Sequence, residues 1–306
     1  MLSFLVPAYN SADVVGAAVA SALAQRLDEP FEVVAVDDAS TDATGEVLDR
    51  LAAEDERLRV HHHEVNGGGG AARNTAARLA RGELLYVLDA DNLLDTGTAQ
   101  AVLSHQRATG AAAVSPEIQR FFDGTTGKER HTWTMSAVDG RSTLMHALTE
   151  VGVPAAHGNY LYTRELFDAV GGYEDDLGAM DTWTFGFKHL AHGYDVAIAP
   201  GAGYRHRLER PSHDSYWTRR QKEGANERDA LVGIGRQLDR LPPAIREKLG
   251  SVVPGDPFFA IVEAGLFADD VSLDAFAAGL ARLREEPPAE PARPSVRARI
   301  GALLGR

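Results

Sequence analysis

Four largely apolar runs, interleaved with segments of helical spacing, fill residues 2–92 and leave this chain little freedom of fold. The runs are LSFLV (2–6), FEVVAVDD (31–38), RLRVHHH (57–63) and ELLYVLDADN (83–92). Between them, helical spacing is read from about Ala12 to Ala24, in ASTDATGEVLDRLAAED (39–55) and in AARNTAARLA (71–80). Ser40, Thr41 and Asp42 are capping residue types for the second of these helices. Runs that are apolar without a polar alternate face are strands buried on both faces. Strands that alternate with helices pair in parallel through right-handed crossovers. The expected fold is therefore α/β, with a Rossmann-like, mostly parallel twisted sheet flanked by helices.

In such sheets ligands gather beyond the carboxyl ends of the strands, near the point where strand order reverses. Those ends carry PAYN (7–10), DDASTD (37–42), the glycines at 67–70 and DADN (89–92). The last of these places two acids at the end of a buried strand. Side chains two apart on a strand point the same way, roughly 6.5–7 Å from each other, and Ala90 leaves room between Asp89 and Asp91. Two such carboxylates repel unless a cation or hydrogen-bond donors compensate. Oxygen ligands with open positions suit Mg2+ or Mn2+, which bridge carboxylates to substrate phosphates. The plainer alternative is that Asp89 caps the following helix and Asp91 is solvated.

Composition narrows the partners. Lysine and arginine number 31 against 44 aspartates and glutamates, a formal net charge of −13. Non-specific nucleic-acid binding needs a basic face to displace counterions, so no nucleic-acid partner is expected. There is no cysteine, which excludes disulfides, thiolate zinc sites and cysteine nucleophiles. MLSFLVPAYN lacks a basic leader region and breaks at Pro7, and PFFAIVEAGLF (257–267) is short and carries Glu263. A cytoplasmic location is the expectation.

Several of these motifs, in their order, resemble those of an inverting family-2 glycosyltransferase of the GT-A fold. LVPAYN is similar to the family's opening strand, VDDASTD to its nucleotide-binding loop, and NGGGGAARNTAARLARGELLYVLDADN to its loop, helix and metal-site run. Weaker likeness continues through FDAVGGYEDDL to HGYDVAIAPGAGYRHR, and the C-terminal third is not covered. The resemblance implies a nucleotide-sugar donor, UDP- or TDP-linked, an acceptor hydroxyl and a divalent ion, Mn2+ or Mg2+. It implies that Pro7, Ala8, Tyr9 and Asn10 shape the nucleotide pocket and that Asp38 accepts a hydrogen bond from the pyrimidine. Arg73 would face the nucleotide, Asp89 with Ala90 the ribose or metal, and Asp91 the metal on the diphosphate.

The expected organisation is a GT-A catalytic domain over 1–213, with a nucleotide-binding half at 1–110 and an acceptor half at 111–213. Within the latter, HTWTM, NYLYT and DVAIA read as strands, and segments near Arg164–Ala169 and Asp181–His192 as helices. A helical extension follows over 214–286, then a proline-rich linker and basic tail over 287–306. Arg293, Arg297, Arg299 and Arg306 with Ile300, Leu303 and Leu304 would suit either peripheral contact with an anionic membrane face or a homodimer contact.

Inversion needs a general base to take the acceptor's proton. The resembled family supplies it from an acidic pair, usually Glu-Asp, at the start of a helix, and here this chain departs: GAMDTWTFGFKHLAHGY (178–194) offers only Asp181. Aligned without a gap, Thr182 occupies the base position; shifted by one residue, Asp181 does. Asp181 is the expected base, with Asp175 and Asp176 behind it. His206, after the DVAIA strand, is the expected further metal ligand, since a neutral imidazole can coordinate. The triplet His61–His63 is split between faces by strand alternation and is assigned no role. Two rivals stand against the transferase reading. Gly67, Gly69 and Ala72 match a dinucleotide-binding G-x-G-x-x-A, but after the third strand rather than the first. The broken acidic pair leaves open a non-catalytic nucleotide-sugar-binding module.

Overall fold

The computed structural model describes residues 1–135, 139–142 and 158–208 and the isolated positions Asp229, Gly233, Arg236, Gln237 and Arg240. The expected helical extension at 214–286 and the tail at 287–306 lie outside the described residues, those five positions apart.

The first half alternates as read: β1 (Leu2–Ala8), α1 (Val15–Leu23), β2 (Phe31–Asp37), α2 (Thr44–Glu54), β3 (Leu58–His62), α3 (Gly68–Leu79) and β4 (Leu84–Val87). The second half adds β5 (Leu93–Leu94), α4 (Thr98–Thr109), β6 (Ala113–Phe122), β7 (Glu129–Thr134), β8 (Arg141–Ser142), β9 (Leu161–Thr163), α5 (Arg164–Val170), α6 (Asp181–Ala191) and β10 (Val196–Arg207). The strands all belong to one sheet of order β3-β2-β1-β4-β9-β6-β10-β5, with β7 on β6 and β8 on β10.

The four N-terminal strands pair in parallel, and beyond them the sheet is mixed, β9 running antiparallel to both β4 and β6. Strand alternation explains why the apolar runs lack a polar face. Leu5, Val34, Val36, Leu85 and Val87 enter one core with Ala72 and Ala76 of α3 and Phe185 and Phe187 of α6. Their neighbours Phe4, Val6, Val33, Ala35 and Tyr86 enter a second core with Val15 and Val19 of α1, Leu48 of α2 and Val102 of α4. Both faces are thus covered, and the strand termini are the places left for polar chemistry.

Three local differences from the sequence reading have physical causes. Helix α2 begins at Thr44, after all three anticipated caps. Ser40 Oγ accepts from the Asn10 amide, and Thr41 donates its amide to Asn10 Oδ1, so both are tied across to the β1 loop. Helix α3 takes in the glycines of 68–70 as its first turn. Strand β10 runs on from DVAIA, through an irregularity between Ala199 and Gly203, to Arg207, so His206 lies within the strand rather than after it.

Strand order reverses between β1 and β4, with β2 on one side of β1 and β4 on the other. The crevice beyond their carboxyl ends is where a ligand belongs in such a sheet.

Candidate active site

Pro7 and Ala8 end β1, both buried, and deliver Tyr9, which is 45% exposed at the rim. Asn10 follows in the left-handed region at φ 46°, a conformation its short amide tolerates. Its Oδ1 accepts the Thr41 amide at 2.8 Å, clasping the loop after β1 to the loop after β2. Asp37 completes the clasp: Oδ1 accepts the Ser40 amide at 3.1 Å, and Oδ2 lies 3.1 Å from His62 Nδ1. His62 also reaches Asp49 at 3.0 Å, and hydrogen bonding to Asp37, then Asp49, raises its pKa above the ordinary histidine value.

Asp38, 2% exposed, turns its carboxylate onto the start of α3. Oδ1 accepts the Gly67 amide at 2.9 Å and Oδ2 the Gly68 amide at 2.7 Å, while His63 Nδ1 lies 2.7 Å from Oδ1. The positive end of the helix favours that charge. A carboxylate offers about four acceptor positions, so capping leaves capacity for one more donor.

Helix α3 then carries Arg73 inward. The residue is 7% exposed, its guanidinium donating from Nη2 to Asp89 Oδ1 at 2.5 Å and from Nη1 to Asp181 Oδ2 at 2.6 Å. Burial opposes its charge, but the carboxylates of Asp181 and Asp89 prevail and raise its pKa. The sequence reading has Arg73 facing the nucleotide; here both its terminal nitrogens are engaged by acids. The ring of Tyr173 lies 5.8 Å from the guanidinium carbon. Asn74 fixes the Tyr173 backbone from both sides, its Nδ2 donating to the carbonyl and its Oδ1 accepting the amide, each at 2.9 Å.

Asp89 lies just beyond β4 and is held on its other oxygen by Asn159 Nδ2 at 2.9 Å. Asn159 also accepts the Asp89 amide through Oδ1 at 3.2 Å. It was missed in the sequence because only the antiparallel pairing of β9 with β4 brings it there. Ala90, 5% exposed, takes the inner position of the turn. Asp91 is half-buried, and its carbonyl accepts from Arg207 Nε at 2.9 Å. Arg207 braces the turn a second time through its own amide, which donates to Asn92 Oδ1 at 2.9 Å. Nothing in the linear pattern marks Arg207, which depends on β10 crossing the sheet to this end.

His206, 9% exposed, places Nε2 2.8 Å from Gln119 Oε1 and stacks on Phe121 at 4.6 Å. Burial pushes its pKa down to about 4 against the opposing pull of Asp89, so the imidazole is neutral at pH 7. Among the described residues no group of three or more His, Asp, Glu or Cys could hold a metal ion. By chemistry alone, the carboxylates of Asp91 and Asp89 suit Mg2+ or Mn2+, which commonly take one or two carboxylates and complete their shell with phosphate and water.

Asp181 opens α6 at 3% exposure. Beyond Arg73, its Oδ1 accepts the Thr182 amide at 2.6 Å. Burial raises its pKa to about 6; Arg73 opposes, and Asp89 adds to the rise. That value suits proton transfer near neutral pH. The alternatives are less suited: Asp176 is exposed and paired with Arg236 at 2.6 Å, a hydrogen bond that lowers its pKa. Asp175 is exposed, and its backbone carbonyl lies against Gly68. Thr182, 8% exposed, carries a neutral hydroxyl that is too weak a base to take this proton.

The glycines of α3 make this packing possible. A Cβ on Gly70 would fall inside the carbonyl oxygen of Glu174 and 2.9 Å from its carbon.

Comparison with known proteins adds to this geometry. The family model for glycosyl transferase family 2 matches residues 3–171, more than half of the chain. Succinoglycan biosynthesis protein ExoO of Rhizobium meliloti is 28% identical over 232 residues, covering 69% of this chain and 62% of that relative's length. Among solved structures, the mannosyltransferase PcManGT from Pyrobaculum calidifontis, in complex with GDP-Man and Mn2+, superposes with a TM-score of 0.60 at 23% identity, over 99% of this chain and 80% of that one. S. aureus TarS 1–349 in complex with UDP-GlcNAc gives a TM-score of 0.55 at 16% identity, over 93% and 91%. At such identities the two structures speak to fold alone. No helix among the described residues is long and apolar enough to cross a membrane.

Proposed function

This chain belongs to glycosyl transferase family 2, and on that premise we propose that it is a glycosyltransferase that moves one sugar from a UDP- or TDP-linked donor to an acceptor hydroxyl with inversion. One observation carries the reading: Arg73 of α3 joins Asp89, just beyond β4, to Asp181 at the start of α6, while Asp38, just beyond β2, caps the same α3. The printed complexes of TarS with UDP-GlcNAc and of PcManGT with GDP-Man and Mn2+ support a nucleotide-sugar donor.

In this reading Pro7, Ala8, Tyr9 and Asn10 form the wall of the nucleoside pocket, and the exposed ring of Tyr9 offers a face to the base. Asp38 keeps its remaining acceptor position for the pyrimidine N–H. Asp89, with Ala90 leaving space, faces the ribose and the ion. Asp91 and His206 would hold Mn2+ or Mg2+, which when bound offsets the charge that builds on the departing diphosphate.

The acceptor oxygen forms a bond to the anomeric carbon as the bond from that carbon to the diphosphate oxygen breaks. The bonding pair leaves with the nucleoside diphosphate. The acceptor's proton passes to Asp181, whose value of about 6 leaves it ionised at pH 7 and able to accept. The domain division proposed is a catalytic unit over 1–213 followed by an accessory C-terminal region.

A radiolabelled UDP-sugar panel with Mn2+ tests the reading. Release of UDP coupled to labelled product, lost in Asp181→Asn with UDP binding retained, is the expected result. UDP binding with no turnover of any donor in the wild type would support the binding-module alternative instead.

A further inference from the structure

The expected place of Arg73 is against the nucleotide, and its geometry argues for a different task. Both terminal nitrogens are spent on carboxylates, at 2.5 Å from Asp89 and 2.6 Å from Asp181. Its Nε is buried with no hydrogen-bond partner. The side chain is 9% exposed, so it does not present its charge to the crevice surface. Asp181 Oδ1 is meanwhile fixed by the Thr182 amide at 2.6 Å. One oxygen of Asp181 is thus held by its own helix and the other by a guanidinium that is itself anchored on the donor-side acid.

We propose that Arg73 is a positioning residue for Asp181, fixing the angle and the ionised form of the base through a bridge to Asp89 rather than by touching the nucleotide. The inference rests on the reading of Asp181 as base. The physical grounds are two. A guanidinium spans two acids in one rigid plane, which a lysine ammonium cannot do. Misplacing a reacting group by about 1 Å costs on the order of 10²-fold in rate.

Charge adds to these two grounds. The groups facing Asp181 are Arg73 from α3, Asp89 from beyond β4 and the Thr182 amide of its own helix. Tyr173, lining the same space, is held neutral by burial, its pKa well above the ordinary value. Arg73 is the one cation in this group. Without it, burial and Asp89 act on Asp181 unopposed and drive its proton affinity up.

The test compares wild type, Arg73→Lys, Arg73→Gln and Asp181→Asn, each checked by thermal melting. The probes are UDP with Mn2+ for binding and UDP-glucose with Mn2+, water as acceptor, for turnover. Arg73→Lys, which retains a positive charge and so the better chance of folding, is expected to lower hydrolytic kcat by about 10²-fold. Its UDP dissociation constant and donor KM stay within about threefold of wild type, the range of an unchanged contact. In Arg73→Gln the Asp181 carboxyl, followed by carbon-13 NMR without substrate, titrates at higher pH than in wild type. A fall in UDP affinity parallel to the fall in kcat would overturn the proposal and return Arg73 to the nucleotide. An unmoved Asp181 midpoint in folded Arg73→Gln would overturn it as well. Wild-type turnover in Asp181→Asn would instead remove the base reading beneath it, a failure distinct from the other two.

Discussion

The carboxylate of Asp38 and the amide of Gly68 meet at 2.7 Å, across 30 residues of chain, and with the Gly67 amide at 2.9 Å they fasten the loop after β2 to the first turn of α3. The loop after β2 and helix α3 are therefore one mechanical unit. Asp38→Ala takes the charged acceptor from the Gly67 and Gly68 amides and removes the partner of His63. Unfolding in urea is expected to show a loss of about 1–3 kcal/mol, with weaker UDP binding as the loop loosens. Unchanged stability would mean that water replaces the carboxylate without cost.

Gly70→Ala tests how closely α3 and the 174–176 segment are fitted. The added methyl would overlap the Glu174 carbonyl, a backbone group that can yield only if the whole segment moves. The expected cost is about 1–3 kcal/mol, as for other overpacked sites. Activity should fall further than stability, because the displaced segment leads into Asp181. A variant as stable and active as wild type would show that this segment is not held against the helix.

The pKa of Asp181 links chemistry to stability. Its folded value of about 6 lies above the ordinary carboxylate range, so between the two the folded protein keeps a proton that the unfolded chain releases. The contribution of this group to stability is thus present at low pH and is lost as pH rises through about 6. Asp181→Asn flattens that part of the stability profile. In turnover the dependence runs the other way: the base must be ionised, so activity should decline below about pH 6, and the variant should lose about 10²–10⁴-fold in kcat. Melts of the two proteins across this window, with the kcat profile, check both signs.

His62 gives a second pH dependence, at the loop after β2. Its pKa is raised by the hydrogen bonds it donates to Asp37 and then Asp49. Its stabilisation is therefore complete below the ordinary histidine value and is lost as pH rises through the raised one. His62→Gln should show a smaller decline in melting temperature over that interval than wild type. Equal declines would place the effect elsewhere.

The sequence exposed the sheet because each buried strand is continuous along the chain, and strand ends have fixed meaning in a parallel sheet. Asp38, Asp89 and Asp91 were legible for that reason. Asn159 and Arg207 were not, because each meets the site only through a pairing between distant strands, β9 with β4 and β10 with β6. The Arg73–Asp181 bridge spans 108 residues and depends on α3 and α6 sharing one core, which no local spacing records. Asn10 shows the same limit at shorter range: its type fits a turn, yet its partner, the Thr41 amide, lies on another loop.

The central claim is a nucleoside diphosphate held with a divalent ion at the ends of β1 and β4, Asp91 meeting the ion. Thermal melting of wild type and Asp91→Ala with UDP or TDP, with Mn2+ and with excess chelator, tests it directly. The account predicts that the nucleotides raise the melting temperature of wild type only when the metal is present, and that Asp91→Ala loses this increment. Equal stabilisation by UDP in chelator, or an undiminished metal-dependent increment in Asp91→Ala, would contradict it.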